Sequence, residues 1–124
     1  MASSRRIAGI ISVKVDGRPY QAAGPWTFSV ASTSRESVLG ASDVAGFKET
    51  PVAPFAEGAL IADRATSLET LQAIEDATIS IEAPGGRLVT IRNAWFVDRA
   101  ELDTGEGQIK VRFEGLSGDE VMPS

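Results

Sequence analysis

The fold is decided by residues 7–30, IAGIISVKVDGRPYQAAGPWTFSV, which predict two long β-strands joined by a tight turn. From Ile7 to Val15, every second residue is apolar or glycine, which is typical of a strand with one buried face. Asp16-Gly17 follows, and an Asp-Gly pair between apolar runs is a strong signal for a hairpin turn. Gly24-Pro25 breaks or bulges the return strand before the alternation resumes at Trp26. This segment therefore predicts an antiparallel hairpin.

Four later segments have similar strand patterns. They are residues 55–63, 77–83, 87–98 and 108–114, of which the last has the cleanest alternation and 87–98 is the most apolar. Because it is so apolar, we expect the strand over 87–98 to be central and covered on both faces. Pro84-Gly85-Gly86 predicts a tight turn, and residues 99–107 predict a polar connection.

One short helix is predicted over residues 66–76. Thr66-Ser67-Leu68-Glu69 matches a capping box with Thr66 as the N-cap, and Leu68, Leu71 and Ile74 then recur at helical spacing. The whole chain, residues 1–124, therefore predicts a single all-β dominated domain. We expect a β-sandwich or barrel of six to seven antiparallel strands, with one short α-helix and a long central loop. Residues 1–6 predict a mobile N-terminal arm and residues 115–124 a C-terminal tail.

The composition excludes several classes of function. The 124 residues contain no cysteine and no histidine, which removes disulfides, thiolate metal sites and the commonest general base. The formal net charge of -5 argues against a basic surface for gripping nucleic acid. No apolar run approaches the ~20 residues of a membrane span, so we expect a soluble protein, by default cytoplasmic.

Candidate catalytic and binding motifs are weak. Glu101, Asp103 and Glu106 crowd one turn, but they lack the ligand spacing of a calcium loop and favour a solvated hairpin turn. Gly85-Gly86-Arg87 lacks the lysine and the following helix of a phosphate-binding loop. A serine nucleophile would need activation by one of only three lysines. We therefore expect no catalytic residue, no metal site and no cofactor.

The central segment, residues 32–55, is the most distinctive part of the chain. Glycines, prolines and the charged pairs Arg35-Glu36 and Lys48-Glu49 punctuate it, yet it carries more apolar side chains than a solvated loop. Such a long loop in a small domain is usually functional or disordered, and its apolar content argues against disorder. It predicts either an arm that docks on a neighbouring chain or a flap that covers one end of its own barrel.

Residues 35–40 (RESVLG), 46–52 (GFKETPV) and 54–55 (PF) resemble the central motif of tail tube proteins from Mu-like contractile-tailed bacteriophages. The flanking Asp16-Gly17 turn, the helix after residue 66 and Asn93-Ala94-Trp95 fall in similar order, so the resemblance covers roughly residues 6–115. It implies a structural subunit whose hexameric rings stack into a tube, with DNA and a tape-measure protein in the lumen. It also implies that the central loop contacts a neighbouring subunit or ring. The residues expected at this contact are Arg35, Glu36, Val38, Leu39, Gly40, Gly46, Phe47, Lys48, Glu49, Pro51, Val52 and Phe55.

The resemblance implies further partners and a location. The partners would be copies of the chain itself, together with tape-measure, sheath, baseplate and tail terminator proteins, in a virion tail assembled in the host cytoplasm. An acidic lumen would let DNA slide without specific binding, and we expect Glu57, Asp63 and Glu114 to face it.

Two alternatives stay open at the level of sequence. One is a tube subunit of a related machine: a contractile bacteriocin, a gene transfer agent or a type VI secretion system. The other is a monomeric β-barrel module that binds a hydrophobic ligand through Trp26 and Trp95.

Overall fold

The structure is a computed structural model that describes residues 11–64 and 66–123. The described residues form ten β-strands, one α-helix and a 3-10 turn at Pro84–Gly86. In chain order, the strands and the helix are β1 (Ser12–Val15), β2 (Arg18–Ser29), β3 (Thr33–Leu39), β4 (Val44–Pro51), β5 (Phe55–Ile61), α1 (Leu68–Gln72), β6 (Ala77–Glu82), β7 (Leu88–Phe96), β8 (Glu101–Asp103), β9 (Gln108–Glu114) and β10 (Ser117–Val121).

Six of these strands close into an antiparallel barrel. One eight-stranded sheet has the order β10-β7-β6-β1-β2-β5-β9-β8, and an additional pairing of β7 with β9 joins its two halves into a ring. β10 and β8 extend the sheet beyond that closure, while β3 and β4 form a separate two-stranded sheet. The predicted all-β barrel with one short helix is confirmed.

The first hairpin follows the sequence pattern. Val15 lies opposite Arg18, and Asp16 and Gly17 both have positive φ, 51° and 83°, as a type I′ turn requires. The predicted irregularity at Gly24-Pro25 is a register shift between Ala23 and Thr27, so β2 bends and pairs first with β1 and then with β5. The predicted arm (residues 1–6) and the first residues of the predicted strand lie outside the described part.

The barrel interior is filled by alternate side chains of the six strands. The fully buried ones include Leu60, Ile79, Ile91 and Phe113, and no polar side chain in the described residues is buried. Trp26 lies inside as well, and its Nε1 donates a hydrogen bond to the carbonyl oxygen of Ala59 at 3.1 Å. The burial of one face per strand explains why apolar alternation predicted β1, β6 and β9.

The helix is shorter than predicted, and its N-cap lies one residue later in the sequence. It spans Leu68–Gln72 rather than residues 66–76, and its N-cap is Ser67, whose side chain accepts from the Thr70 amide. Thr66 instead donates its hydroxyl to Asp63 at 2.8 Å. Only Leu71 of the helix is buried, so the apolar stripe is too narrow to sustain further turns.

Three other expectations need correction. β7 is not covered on both faces, because its exposure alternates and Leu88 and Arg92 lie at the surface. The predicted polar connection contains β8, which pairs with β9. The predicted C-terminal tail contains β10, which pairs with the first half of β7. None of the helices in residues 11–64 and 66–123 is long and apolar enough to cross a membrane.

Candidate functional site

The predicted central loop is a β-hairpin that projects from the barrel, with one register shift between Val38 and Leu39, opposite Ala45. β3 and β4 pair over their whole lengths, from Thr33 opposite Pro51 to Leu39 opposite Val44. The prediction of an irregular loop was therefore wrong for residues 33–39 and 44–51, which form the two paired strands. All residues from Ala31 to Val52 are exposed, so the hairpin is not a flap closed over its own barrel.

The hairpin has two different faces. Because cross-strand partners share a face, the pairs Arg35–Glu49, Ser37–Phe47 and Leu39–Val44 lie on one side of the two-stranded sheet. The other side carries Glu36–Lys48 and Val38–Gly46. Leu39, Val44 and Phe47 are 74%, 62% and 61% exposed, which is unusual for large apolar side chains on one small surface.

Charged groups border both faces. Arg35 Nε lies 3.3 Å from Glu49 Oε2, and Lys48 Nζ lies 3.2 Å from Glu36 Oε1. The Arg35 guanidinium also stacks over the Phe47 ring, with its central carbon 5.0 Å from the ring centroid. Exposed pairs of this kind contribute only ~0–1 kcal/mol each to stability, so they fix the register of the hairpin more than they hold it together.

The base of the hairpin is anchored by backbone contacts that the sequence did not predict. The Val52 amide donates to the Ser32 carbonyl at 3.0 Å, which closes the two strands where they leave the barrel. The Gly115 amide donates to the buried Pro54 carbonyl at 3.0 Å. Gly118 of β10 packs closely against Val30, the residue after β2. A Cβ built on Gly118 would be only 3.0 Å from Val30 Cα. The sequence of β10 is polar, so no apolar pattern pointed to this role.

The hairpin brings together most, but not all, of the residues predicted to contact a neighbouring subunit or ring. Those from Arg35 to Pro51 lie on the hairpin and Val52 follows it. Phe55 instead begins β5, where the Arg112 guanidinium lies over its ring, 4.3 Å from the centroid.

Two of the three residues predicted to face a lumen lie close together. Glu57 and Glu114 both contact Arg112, whose Nη1 is 3.1 Å from Glu57 Oε2 and whose Nε is 2.9 Å from Glu114 Oε2. The hydrogen bond to Glu114, more than that to Glu57, raises the pKa of Arg112, and partial desolvation opposes this rise. Asp63 lies beyond the end of β5 in a turn, where it accepts from Thr66.

Arg112 and Glu57 also line an open concavity of about 960 Å³ on the outer face of β2, β5 and β9. Its walls mix small residues such as Ala23 and Ala59 with charged ones such as Lys110. Neither tryptophan is among its lining residues, because Trp26 packs inside the barrel. The hydrophobic ligand site considered from Trp26 and Trp95 therefore does not coincide with this concavity.

The weak motifs have local structural roles. Asp103 Oδ1 accepts from the amides of Gly105 and Glu106 at 2.9 and 3.2 Å, so its carboxylate closes the β8–β9 turn. The described residues contain no group of three or more acidic side chains arranged to hold a metal ion. Gly85 and Gly86 both have positive φ in the turn before β7.

The comparisons with known proteins agree with this architecture. A family model described as phage tail tube protein matches residues 4–120. Hcp1 from Flavobacterium johnsoniae has a similar fold, with a TM-score of 0.64 at 9% sequence identity over 92% of this chain and 96% of that chain. No curated protein matches the sequence. The family match spans nearly the whole chain, and the protein belongs to the phage tail tube family.

Proposed function

We propose that this chain is the structural subunit of a phage tail tube, in which hexameric rings stack around a hollow lumen that conducts DNA and holds the tape-measure protein. Membership of the phage tail tube family supports the tube itself. The observation that carries the proposal is the β3–β4 hairpin, which is fully exposed in the single chain and bears three large apolar side chains on one face.

An uncovered hairpin of this kind has little stability of its own. A two-stranded sheet alone is marginally stable in water, and a third layer or strand is usually needed to support it. Here Leu39, Val44 and Phe47 are left 61–74% exposed by their own chain. A neighbouring subunit or ring would supply the missing cover.

The barrel also offers edges for lateral contacts. β10 and β8 are the end strands of the eight-stranded sheet, so each has one row of backbone amides and carbonyls without a strand partner among residues 11–64 and 66–123. Proteins normally protect such edges, and closure into a ring removes them. Pairing between neighbouring subunits would join their sheets around the lumen.

The outer face of β5 and β9 is our candidate for the lumen wall. Glu57 and Glu114 lie on it, with Asp63 beyond the end of β5, and the net charge of -5 favours repulsion of DNA phosphates. Arg112 and Lys110 lie on the same face and balance the two glutamates locally. The lumen wall would then be close to neutral at this level, which suits passage of DNA without specific binding.

The proposed role involves no catalysis, cofactor or membrane insertion. The partners would be other copies of the chain, with the tape-measure, sheath, baseplate and terminator proteins, in a virion tail assembled in the host cytoplasm. Whether the machine is a phage tail, a bacteriocin, a gene transfer agent or a secretion tube remains a prediction that the neighbouring genes would test.

The experiment replaces residues 33–51 by Asn-Gly. Because Ser32 and Val52 are already hydrogen-bonded, a two-residue turn can join them without disturbing the barrel. We expect the circular dichroism spectrum of this variant to show that the β-barrel is still folded. In sedimentation velocity the variant should stay monomeric, while the wild-type chain assembles. Equal assembly by both proteins would refute the role of the hairpin.

A further inference from the structure

The β3–β4 hairpin carries its large apolar side chains unequally. We call the side formed by Arg35, Leu39, Val44, Phe47 and Glu49 the hairpin apolar face. It holds three of the four large apolar side chains of the two strands, and the Arg35–Glu49 ion pair closes its end nearest the barrel. The opposite face holds the fourth, Val38, beside glycine. A contact that buries apolar area would therefore use the hairpin apolar face.

A second exposed apolar surface lies where β10 meets β7. Leu88 and Val121 are directly opposite each other and are 39% and 58% exposed. Arg92 is four residues from Leu88 along β7, and Asp119 is two residues from Val121 along β10. Because side chains an even number of residues apart share a face of a sheet, both lie on the same outward side as Leu88 and Val121, and they form an ion pair. We call these four residues the C-terminal patch. Nothing in the described chain covers it.

The two surfaces match in the order and spacing of their groups. On the hairpin, four residues of β3 separate Leu39 from Arg35, a distance of ~13 Å at the rise of a strand. On the C-terminal patch, four residues of β7 likewise separate Leu88 from Arg92. Each surface thus has an apolar end and an ion-paired end at a similar separation. When the apolar ends face each other, each cation can lie opposite the other surface's carboxylate.

The chain cannot satisfy both surfaces by itself in this structure. Residues 31–52 are exposed throughout, so the hairpin does not lie on its own C-terminal patch. Two unlike surfaces on one molecule form a head-to-tail contact between copies, and such contacts repeat to give rings or open stacks. A second copy of this chain is therefore the occupant that both surfaces fit.

We propose that the hairpin apolar face docks on the C-terminal patch of a second copy of this chain, with Arg35 opposite Asp119 and Glu49 opposite Arg92. This inference rests on the proposed function, because it identifies the receptor for the hairpin within the tube. It assigns an assembly role to β10, a segment for which the sequence pattern predicts only a tail.

The test uses one variant on each surface and a matched control. Phe47→Ser removes the centre of the hairpin apolar face, and Val121→Ser removes half of the apolar end of the C-terminal patch. Val38→Ser makes a similar change on the opposite face of the same hairpin. All three positions are exposed, so we expect folded variants with unchanged circular dichroism. In sedimentation velocity, Phe47→Ser and Val121→Ser should each need about tenfold or more protein to assemble, and Val38→Ser should match wild type.

Mixing the two defective variants gives the sharper result. Each retains the surface that the other lacks, so a one-to-one mixture should associate through the single intact contact but should not elongate. Normal assembly by Val121→Ser, with loss of assembly by Phe47→Ser, would overturn the inference and leave the proposed function standing. A wild-type chain that stays monomeric would overturn both.

Discussion

The packing of Trp26 on Gly58 gives the most direct test of the barrel interior. A Cβ built on Gly58 would lie only 2.4–2.5 Å from three atoms of the Trp26 indole. The indole cannot withdraw freely, because its Nε1 is bonded to the Ala59 carbonyl and the residue is only 8% exposed. Gly58→Ala should therefore force the tryptophan out of its position.

The cost follows from what the indole would lose. Inserting a methyl group into a packed core typically costs ~1–3 kcal/mol, and loss of one neutral hydrogen bond costs ~1 kcal/mol. We expect Gly58→Ala to lower the free energy of unfolding by about 2–4 kcal/mol. With an unfolding entropy of about 2.1 cal/mol/K per residue, this corresponds to a decrease in Tm of about 8–15 °C for a chain of 124 residues.

The assay is thermal unfolding followed by circular dichroism, with tryptophan fluorescence as a second probe. Gly105→Ala is the matched control, because a Cβ there meets only the Asp103 carboxylate, at 3.3 Å, in an exposed turn. Trp26→Leu combined with Gly58→Ala should restore part of the loss, because the smaller side chain makes room for the methyl group. A Tm within 2 °C of the wild-type value corresponds to a change of about 0.5 kcal/mol in the free energy of unfolding. That result would refute the close packing of Trp26 on Gly58.

Three further predictions concern local features. Ser67→Ala should lower the free energy of unfolding by about 1 kcal/mol in chemical denaturation, because Ser67 caps the helix. Thr66→Ala should have a clearly smaller effect, and the reverse order would contradict the observed cap. Gly118→Val should lower Tm by several degrees, because its side chain would meet Val30 at the hairpin base, and an unchanged Tm would show that β10 does not press there. The raised pKa of Arg112 means that its ion pairs contribute stability below the unfolded pKa and lose it only as pH rises through the folded pKa. Arg112→Gln should therefore shift the Tm of the protein equally at pH 7 and pH 9, and a shift that vanished at pH 9 would contradict this.

The barrel could be predicted because its strands each bury one face. Val13 and Val15 point inward and Lys14 outward, so β1 shows the pattern that the sheet requires, and Asp16-Gly17 specifies its turn. The same reasoning located β6 and β9. These features depend on local chemistry and on one hydrophobic interior, both of which are visible in the residue order.

The hairpin and β10 could not be predicted in this way. The sequence of β3, TSRESVL, lacks apolar alternation because neither of its faces is buried, and β10, SGDEV, is held by backbone pairing to β7 and by ion pairs. In β7 the pattern is interrupted at Asn93, which has a φ of 54° at the register shift between β6 and β7. The sequence predicts the N-cap one residue too early, because Thr66 and Ser67 can both cap a helix.

The candidate site was identified by a resemblance and by an anomaly in composition rather than by a structural pattern. The composition marks the segment that carries Arg35 and Phe47 as unusual, but it does not reveal the strand pairing of that segment. The resemblance groups Phe55 with the hairpin residues, and in the structure Phe55 begins β5 in the barrel wall. The pairing of Glu57 with Glu114 through Arg112 depends on the register between β5 and β9, which no local pattern encodes.

Electron microscopy of the purified wild-type chain over a range of concentrations tests the central claim most directly. We predict hollow rings that stack into tubes as the concentration rises, since the hairpin is exposed and neither sheet edge is paired by another strand of the described part of the chain. Particles of monomer size only, at every concentration up to that of a saturated solution, would contradict the assignment of this chain as a self-assembling tube subunit.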